Sequence, residues 1–398
     1  MITLQRPQRL AQLASAVFAA VEAARQRALA RGVDVINLSV GSPDLMPAPH
    51  VLAALHAGID DPRSYPYPLT DLPEFRAAVA AWYGQRFGVD LDPATQVLGL
   101  LGSQEGLAHV AQAFTDPGDV VLVPDPGYPI YMAGPVLAGC RLWPVPCLPE
   151  NQFRPDLDSV PTEIWRQAKL LILNFPGNPL AATADENYFK HAIDLARRHN
   201  VLILHDAAYS ELAFDGYRPI SFLQVPGAMA VGVELNSLSK TFNMAGCRVA
   251  YAVGNAQAVS ALQAAKGHLD YGIFRPIQLA AVAALAGPQD SVAQMAATYQ
   301  ARRDAFVAGC RAVGWPVPLP AATMFCWAPV PEGFVRRHGG RAGSDTAFAS
   351  QLLEQTGVAL TPGSGFGARG EGYVRIALVQ PLERLKEASA RLGNSGLL

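Results

Sequence analysis

Short, continuously apolar runs recur through the middle of the chain, and each ends in a polar cluster. They are DVVLVPDPGYP (119–129), AKLLILNFPGNP (168–179), VLILHDAAYSEL (201–212) and AVGVELNSLSKTF (230–242). Runs of this length without alternation predict strands buried on both faces. Between them, ENYFKHAIDLARRHN (186–200) carries apolar residues at helical spacing, and a Gly-rich turn, GLLGSQEG (99–106), opens a helix at about 103–114. Residues 71–88 predict another helix, with Phe75, Val79, Trp82 and Tyr83 on its apolar side. Strands alternating with helices predict an α/β fold with a mostly parallel central sheet between helices. In open sheets of this kind ligands bind at the carboxyl ends of the strands. Ser103, Tyr128, Asn178, Asp206 and Lys240 are therefore expected to meet in one crevice.

The two ends of the chain read differently. Leu10, Leu13, Val17, Val21, Ala24 and Ala28 follow helical spacing and predict one amphipathic helix. Arg6 and Arg9 before an apolar run give it only a superficial likeness to a secretion signal. VDVINLSVGSPD (33–44) reads as a strand running into a turn. From about residue 290 come a long helix (291–314), another near 344–356, and the short runs VALTPGSGFG and YVRIALV, a smaller α+β lobe. A chain of 398 residues exceeds one ordinary core. The expected division is 45–285 as a large domain and 286–398 as a small one, with 1–44 packed on the small domain.

Composition narrows the function. Charged residues are 16% of the chain, below the usual ~25%, which excludes disorder and predicts much buried apolar surface, part of it between subunits. Lys and Arg (31) nearly balance Asp and Glu (33), so the chain lacks the basic excess of a nucleic-acid binder. No uninterrupted apolar stretch reaches the ~18 residues that span a bilayer, so no membrane partner is expected. The five cysteines are scattered, never in CxxC spacing; they read as small buried hydrophobes in a cytoplasmic protein, with no metal site.

The chemistry concentrates in NSLSKTFNMAGCR (236–248). Lys240 ends an apolar strand, with Ser237 and Ser239 beside it and Arg248 shortly after. Hydroxyls and a guanidinium make a phosphate cradle, and a lysine of depressed pKa is a nucleophile toward carbonyls. A lysine beside a phosphate site suggests pyridoxal 5′-phosphate. Alone, Lys240 reads more readily as a solvated lysine at a strand end, but Asp206 ends a neighbouring strand, where a carboxylate can hold a protonated pyridine nitrogen. Tyr209 can donate to the ring's phenolic oxygen. Ser103 and Gln104 open a helix whose N-terminus favours a phosphate. Tyr128 can stack on an aromatic cofactor, and Asn178 sits in a Pro-flanked turn within reach of it. Arg375 lies in an apolar strand and needs an anion, either a substrate carboxylate or a nearby acid. GSGFGA (363–368) fits a dinucleotide fingerprint, but a loop and strand follow it, where that motif requires a helix.

Taken in order, GSQEG, DPGYP, NP, HDAAYSEL, SLSKTFNMAGCR and YVRIAL resemble the fold-type I pyridoxal phosphate-dependent aminotransferases of class I/II over nearly the whole chain. GSQEGLAH, VLVPDPGYPIY, HDAAYSELAFD, VPGA, SLSKTFNM and LDYGIF are most similar to the LL-diaminopimelate aminotransferase branch. The resemblance implies a cytoplasmic homodimer of amino-acid metabolism, in that branch lysine biosynthesis. It would transfer an amino group between an L-amino acid and a 2-oxo acid, 2-oxoglutarate among them. It makes Lys240 the catalytic lysine that holds the cofactor, Asp206 the partner of the ring nitrogen, and Asn178 and Tyr209 the partners of its phenolic oxygen. Tyr128 would stack on the ring; Ser103, Gln104, Ser237, Ser239 and Arg248 would hold the phosphate. Arg375 and Gly41 would face the substrate, and Tyr67 would reach the phosphate of the partner subunit. The chain departs from the family at Leu180 and Ala181 (NPLA for NPTG), Gly177, Cys247, Tyr271 and Arg275, the last a candidate partner for a distal substrate carboxylate. Two rivals share these residues: a β-lyase acting on cystine-like substrates and a non-catalytic cofactor-binding regulatory module.

Overall fold

A computed structural model of the chain describes residues 2, 5, 7–13 and 16–398. Its strands are β1 (Ile36–Asn37), β2 (Val97–Leu100), β3 (Val120–Asp125), β4 (Arg141–Pro146), β5 (Ala168–Asn174) and β6 (Leu202–Asp206). They continue with β7 (Gly232–Ser237), β8 (Ala250–Gly254), β9 (Phe325–Pro329), β10 (Val358–Ala359), β11 (Thr361–Pro362) and β12 (Tyr373–Ala377). Seven of them form one sheet in the order β2-β8-β7-β6-β5-β3-β4, in which β8 alone runs antiparallel to its neighbours.

The absence of alternation in these strands has a direct cause. Leu170 and Ile172 of β5 pack with Leu107 and Val110 of helix Ser103–Phe114 and with Val259 and Leu262 of helix Ala256–Leu269. The intervening Leu171 and Leu173 point to the other face, onto helices Pro73–Phe87, Glu186–His199 and Arg275–Ala286. Both faces are covered, so both sets of side chains are apolar.

Strand order reverses between β3 and β5, because β4 lies outside β3 while β6 and β7 follow β5 on the other side. A crevice at the carboxyl edge opens at such a switch point. The ends of β3, β5, β6 and β7 all reach that edge. The antiparallel β8 brings its beginning there, just after Arg248.

A second core is built from Phe306, Trp315, Cys326, Phe348, Ile376 and Leu385, and it takes in Ile36 and Leu38 from near the start of the chain. Here β9, β12 and β11 form an antiparallel sheet, and β1 pairs in parallel with β10. The Ala377 amide donates to the Leu38 carbonyl at 2.8 Å, so residues 38–42 run from this region directly over the crevice. Gly363–Phe366 forms a single 3-10 turn between β11 and the approach to β12.

Two sequence expectations need correction. The N-terminal helix is not continuous: Gln8–Gln12 ends at Leu13 and a second helix covers Ala16–Ala30. Leu10 is exposed, whereas Ala28 is buried with Leu353 and Ala359, so the two ends of the apolar stripe are unequally covered. Arg6 lies outside the described residues. All five cysteines are free, but only Cys147, Cys310 and Cys326 are buried; Cys140 and Cys247 are half-buried. No helix among the described residues is long and apolar enough to cross a membrane.

Candidate active site

The crevice is a cavity of about 530 Å³ at the carboxyl edge. Ser103, Gln104, Tyr128, Asn178, Asp206, Tyr209, Ser237, Ser239, Lys240, Arg248, Gly41 and Arg375 all line it. Of the residues expected to meet cofactor or substrate, Tyr67 and Arg275 do not. Tyr67 is 78% exposed and its ring lies 5.4 Å from that of Tyr271.

Lys240 sits in the short helix Leu238–Thr241, which starts where β7 ends. Ser237 caps it, its hydroxyl accepting from the Ser239 amide at 3.1 Å. The Lys240 ammonium donates to the Gly41 carbonyl at 2.8 Å and stands 6.0 Å from the centre of the Tyr209 ring. Burial, then the positive charges of Arg375 and Arg248, pull its pKa down to about 8; Asp206 acts in the opposite sense. A substantial fraction of this amine is neutral near pH 8, as a nucleophile or general base needs.

Asp206 is buried at the end of β6 with a donor on each oxygen. The Tyr131 hydroxyl donates to Oδ2 at 2.8 Å and the Ala208 amide to Oδ1 at 3.2 Å. Burial pushes this carboxyl above its ordinary range, while Tyr131, Ala208, His205 and Lys240 favour its charged form. Asn174 ties the neighbouring strand end to it, donating to the Asp206 carbonyl at 2.8 Å and accepting from the Asn178 amide at 2.7 Å. That pair of bonds fixes the turn that carries Asn178.

Arg375 is buried between the rings of Phe325 and Phe366, 4.6 Å and 4.8 Å from their centres. Its two terminal nitrogens donate to Asn178 Oδ1 at 3.0 Å and the Ser39 carbonyl at 2.6 Å, while its Nε has no partner. Burial lowers its pKa to about 10. Of the two sequence readings, the structural ion pair is not found among the described residues. A guanidinium with neutral partners and an orphaned N–H is poised for an anion.

Arg248, in the left-handed region at φ 54°, lies over the start of helix Ser103–Phe114. A Cβ on Gly102 would stand 2.3 Å from its guanidinium, so the absence of a side chain there permits the approach. The first amides of that helix, the Ser103, Ser237 and Ser239 hydroxyls and Arg248 together form an anion cradle. Tyr128 closes one side, its hydroxyl donating to Gln104 Oε1 at 3.2 Å. Three cations and one carboxylate thus line the cavity. The set matches pyridoxal phosphate group by group: amine for aldehyde, carboxylate for ring nitrogen, cradle for phosphate and tyrosine for the ring face. The Arg375 guanidinium, which faces no carboxylate among the described residues, is left for a substrate carboxylate.

Residues 33–392 match the family model described as aminotransferase class I and II. The chain belongs to that family. It is 48% identical over 385 residues to an LL-diaminopimelate aminotransferase of Desulforudis audaxviator, covering 96% of each chain. A probable N-succinyldiaminopimelate aminotransferase from Thermus thermophilus superposes with a TM-score of 0.89 at 40% identity, over 95% of this chain and 100% of that one. The substrate-bound structure of BacF from Bacillus subtilis gives 0.91 at 35% identity, over 98% of both. The protein is a pyridoxal phosphate-dependent aminotransferase.

Sequence reasoning missed four groups in the aminotransferase site: Tyr131, Ser39, Phe18 and Phe325. Tyr131 reads as one more apolar residue of IYMAGPVL, and nothing local signals that its hydroxyl meets Asp206. Phe18 arrives from the N-terminal helix, its ring edge-on to Phe366 at 5.4 Å. Arg275 lies outside the cavity and donates to Asp61 at 2.8 Å. Glu105, His109 and Asp270 are spaced like metal ligands, but the buried Lys266 ammonium bonds both carboxylates and supplies the cation itself.

Proposed function

We propose that this aminotransferase exchanges the amino group of LL-diaminopimelate with 2-oxoglutarate, within lysine biosynthesis in the cytoplasm, and that it works as a homodimer with shared active sites. The observation that carries the substrate is the 48% identity to an LL-diaminopimelate aminotransferase across 96% of both chains. Geometry supports the roles of the residues. The bound cofactor supplies an electron sink beside the substrate's α-carbon. Arg375 grips the α-carboxylate by its fork and turns the Cα–H toward Lys240. Lys240 Nζ, with its pKa lowered to about 8, takes the proton from Cα. Asp206 would hold the protonated ring nitrogen of the cofactor, and the buried phenol of Tyr209 would hold its phenolic oxygen. Phe18, Phe325 and the 38–42 segment keep water from the reacting face.

The dimer is supported by one apolar face. Tyr65, Tyr67, Leu69 and Tyr271 are 65, 78, 69 and 54% exposed. The Tyr65–Phe274 and Tyr67–Tyr271 ring pairs join their two segments into a single surface. Exposed apolar surface of this kind marks an interface. Asp206, the one carboxylate in the cavity, is already engaged, so the distal ammonium and carboxylate of LL-diaminopimelate are met by groups from the second subunit. Comparing kcat/KM for LL-diaminopimelate with glutamate, aspartate, alanine and aromatic amino acids tests the substrate. LL-diaminopimelate is expected to lead. An alanine or aromatic preference above about 100-fold, or about 2.7 kcal/mol of discrimination, would overturn it.

A further inference from the structure

Asp206 must remain a carboxylate inside a site that disfavours one. It is only 4% exposed, and burial works against its charge. Its backbone partner, the Ala208 amide, reaches Oδ1 at 3.2 Å, a long contact for a charged acceptor. The short contact, 2.8 Å, comes from Tyr131 to Oδ2.

Among the described residues the Tyr131 hydroxyl donates to Asp206 alone. It is 1% exposed and lies in the first turn of helix Ile130–Leu137, directly after the loop that carries Tyr128. The two rings meet edge to face with centres 5.9 Å apart. Burial and the neighbouring Asp206 charge push its phenol well above its ordinary range, so it is a fixed donor at every working pH. One short element therefore sets both the ring that faces the cofactor and the donor that faces the cofactor's carboxylate partner.

We infer that Tyr131 is a positioning residue: its hydroxyl orients Asp206 and holds it charged, and so sets the strength of the contact to the pyridine nitrogen. The inference rests on the cofactor reading above and adds a residue that need not touch cofactor or substrate. A hydrogen bond to a buried charge is strong, and loss of its donor leaves the acceptor under-satisfied.

The test is a binding cycle on cofactor-free protein. Wild type, Y131F, D206N and the Y131F/D206N pair are titrated with pyridoxal phosphate and with its analogue in which C–H replaces the ring nitrogen. Y131F keeps the ring and its packing. It is expected to bind pyridoxal phosphate about tenfold more weakly, yet the analogue within about twofold of wild type. In the D206N background the same substitution is expected to cost nothing further. Equal losses for both ligands, or no loss for pyridoxal phosphate, would overturn the inference. A Y131F chain that does not fold would assign the phenol to stability and overturn it too. A wild-type chain that binds neither ligand would instead refute the cofactor itself.

Discussion

Lys240 and Gly41, 199 residues apart, are joined by a 2.8 Å hydrogen bond from the lysine's Nζ to the glycine's carbonyl oxygen. Phe325 crowds the glycine: its Cζ would lie 2.4 Å from a Cβ at position 41. The same ring packs on the Arg375 guanidinium. Gly41→Ala is expected to push Phe325 aside, cost about 1–3 kcal/mol of stability and disturb the amine and the guanidinium together. A thermal melt and steady-state kinetics check this, with kcat and KM both expected to worsen.

The depressed pKa of Lys240 carries a stability signature in the cofactor-free chain. The folded state disfavours the ammonium, so it binds fewer protons than the unfolded state between about pH 8 and pH 10.5. Wild-type stability therefore gains as pH rises through that window. Lys240→Met removes the penalty, and its advantage over wild type is expected to be largest below about pH 8 and to vanish above 10.5. Denaturant titrations across that range, in phosphate-free buffer, measure it.

Asp206→Ala is expected to leave a folded protein that still binds cofactor but turns over several orders of magnitude more slowly. Without a carboxylate at the ring nitrogen, the electron sink is weak. Single-turnover absorbance measurements on mutant and wild type give the ratio directly.

Arg375→Lys keeps the charge but loses the planar fork. KM for the amino acid is expected to rise about 10–100-fold, since the retained ammonium cannot reach Asn178, Ser39 and a carboxylate at once. Rescue by lysine to near-wild-type KM would show that charge alone suffices at this position.

The inner strands and most of the site were legible because β3, β5, β6 and β7 are buried apolar runs that each stop at a polar residue. Asp206 and Lys240 stand out for that reason, and Asn178 follows a turn rich in proline. Tyr131 was not legible, since its hydroxyl matters only where its helix crosses the end of β6. The same holds for Gly41's contact with Lys240, which depends on residues 38–42 crossing the crevice. The break at Leu13 escaped a reading based on spacing, because spacing does not reveal whether a neighbour covers the stripe. The pairing of Arg275 with Asp61, more than 200 residues away in sequence, is signalled by no local pattern.

The central claim is that this chain moves an amino group rather than expelling it. The most direct measurement uses LL-diaminopimelate labelled at its α-nitrogens, 2-oxoglutarate and the pyridoxal phosphate-loaded enzyme, with Lys240→Ala protein as the control. The account predicts label in glutamate, formed mole for mole with substrate consumed, and none with the Lys240→Ala protein. Label released as free ammonium, or equal transfer by the Lys240→Ala protein, would contradict it.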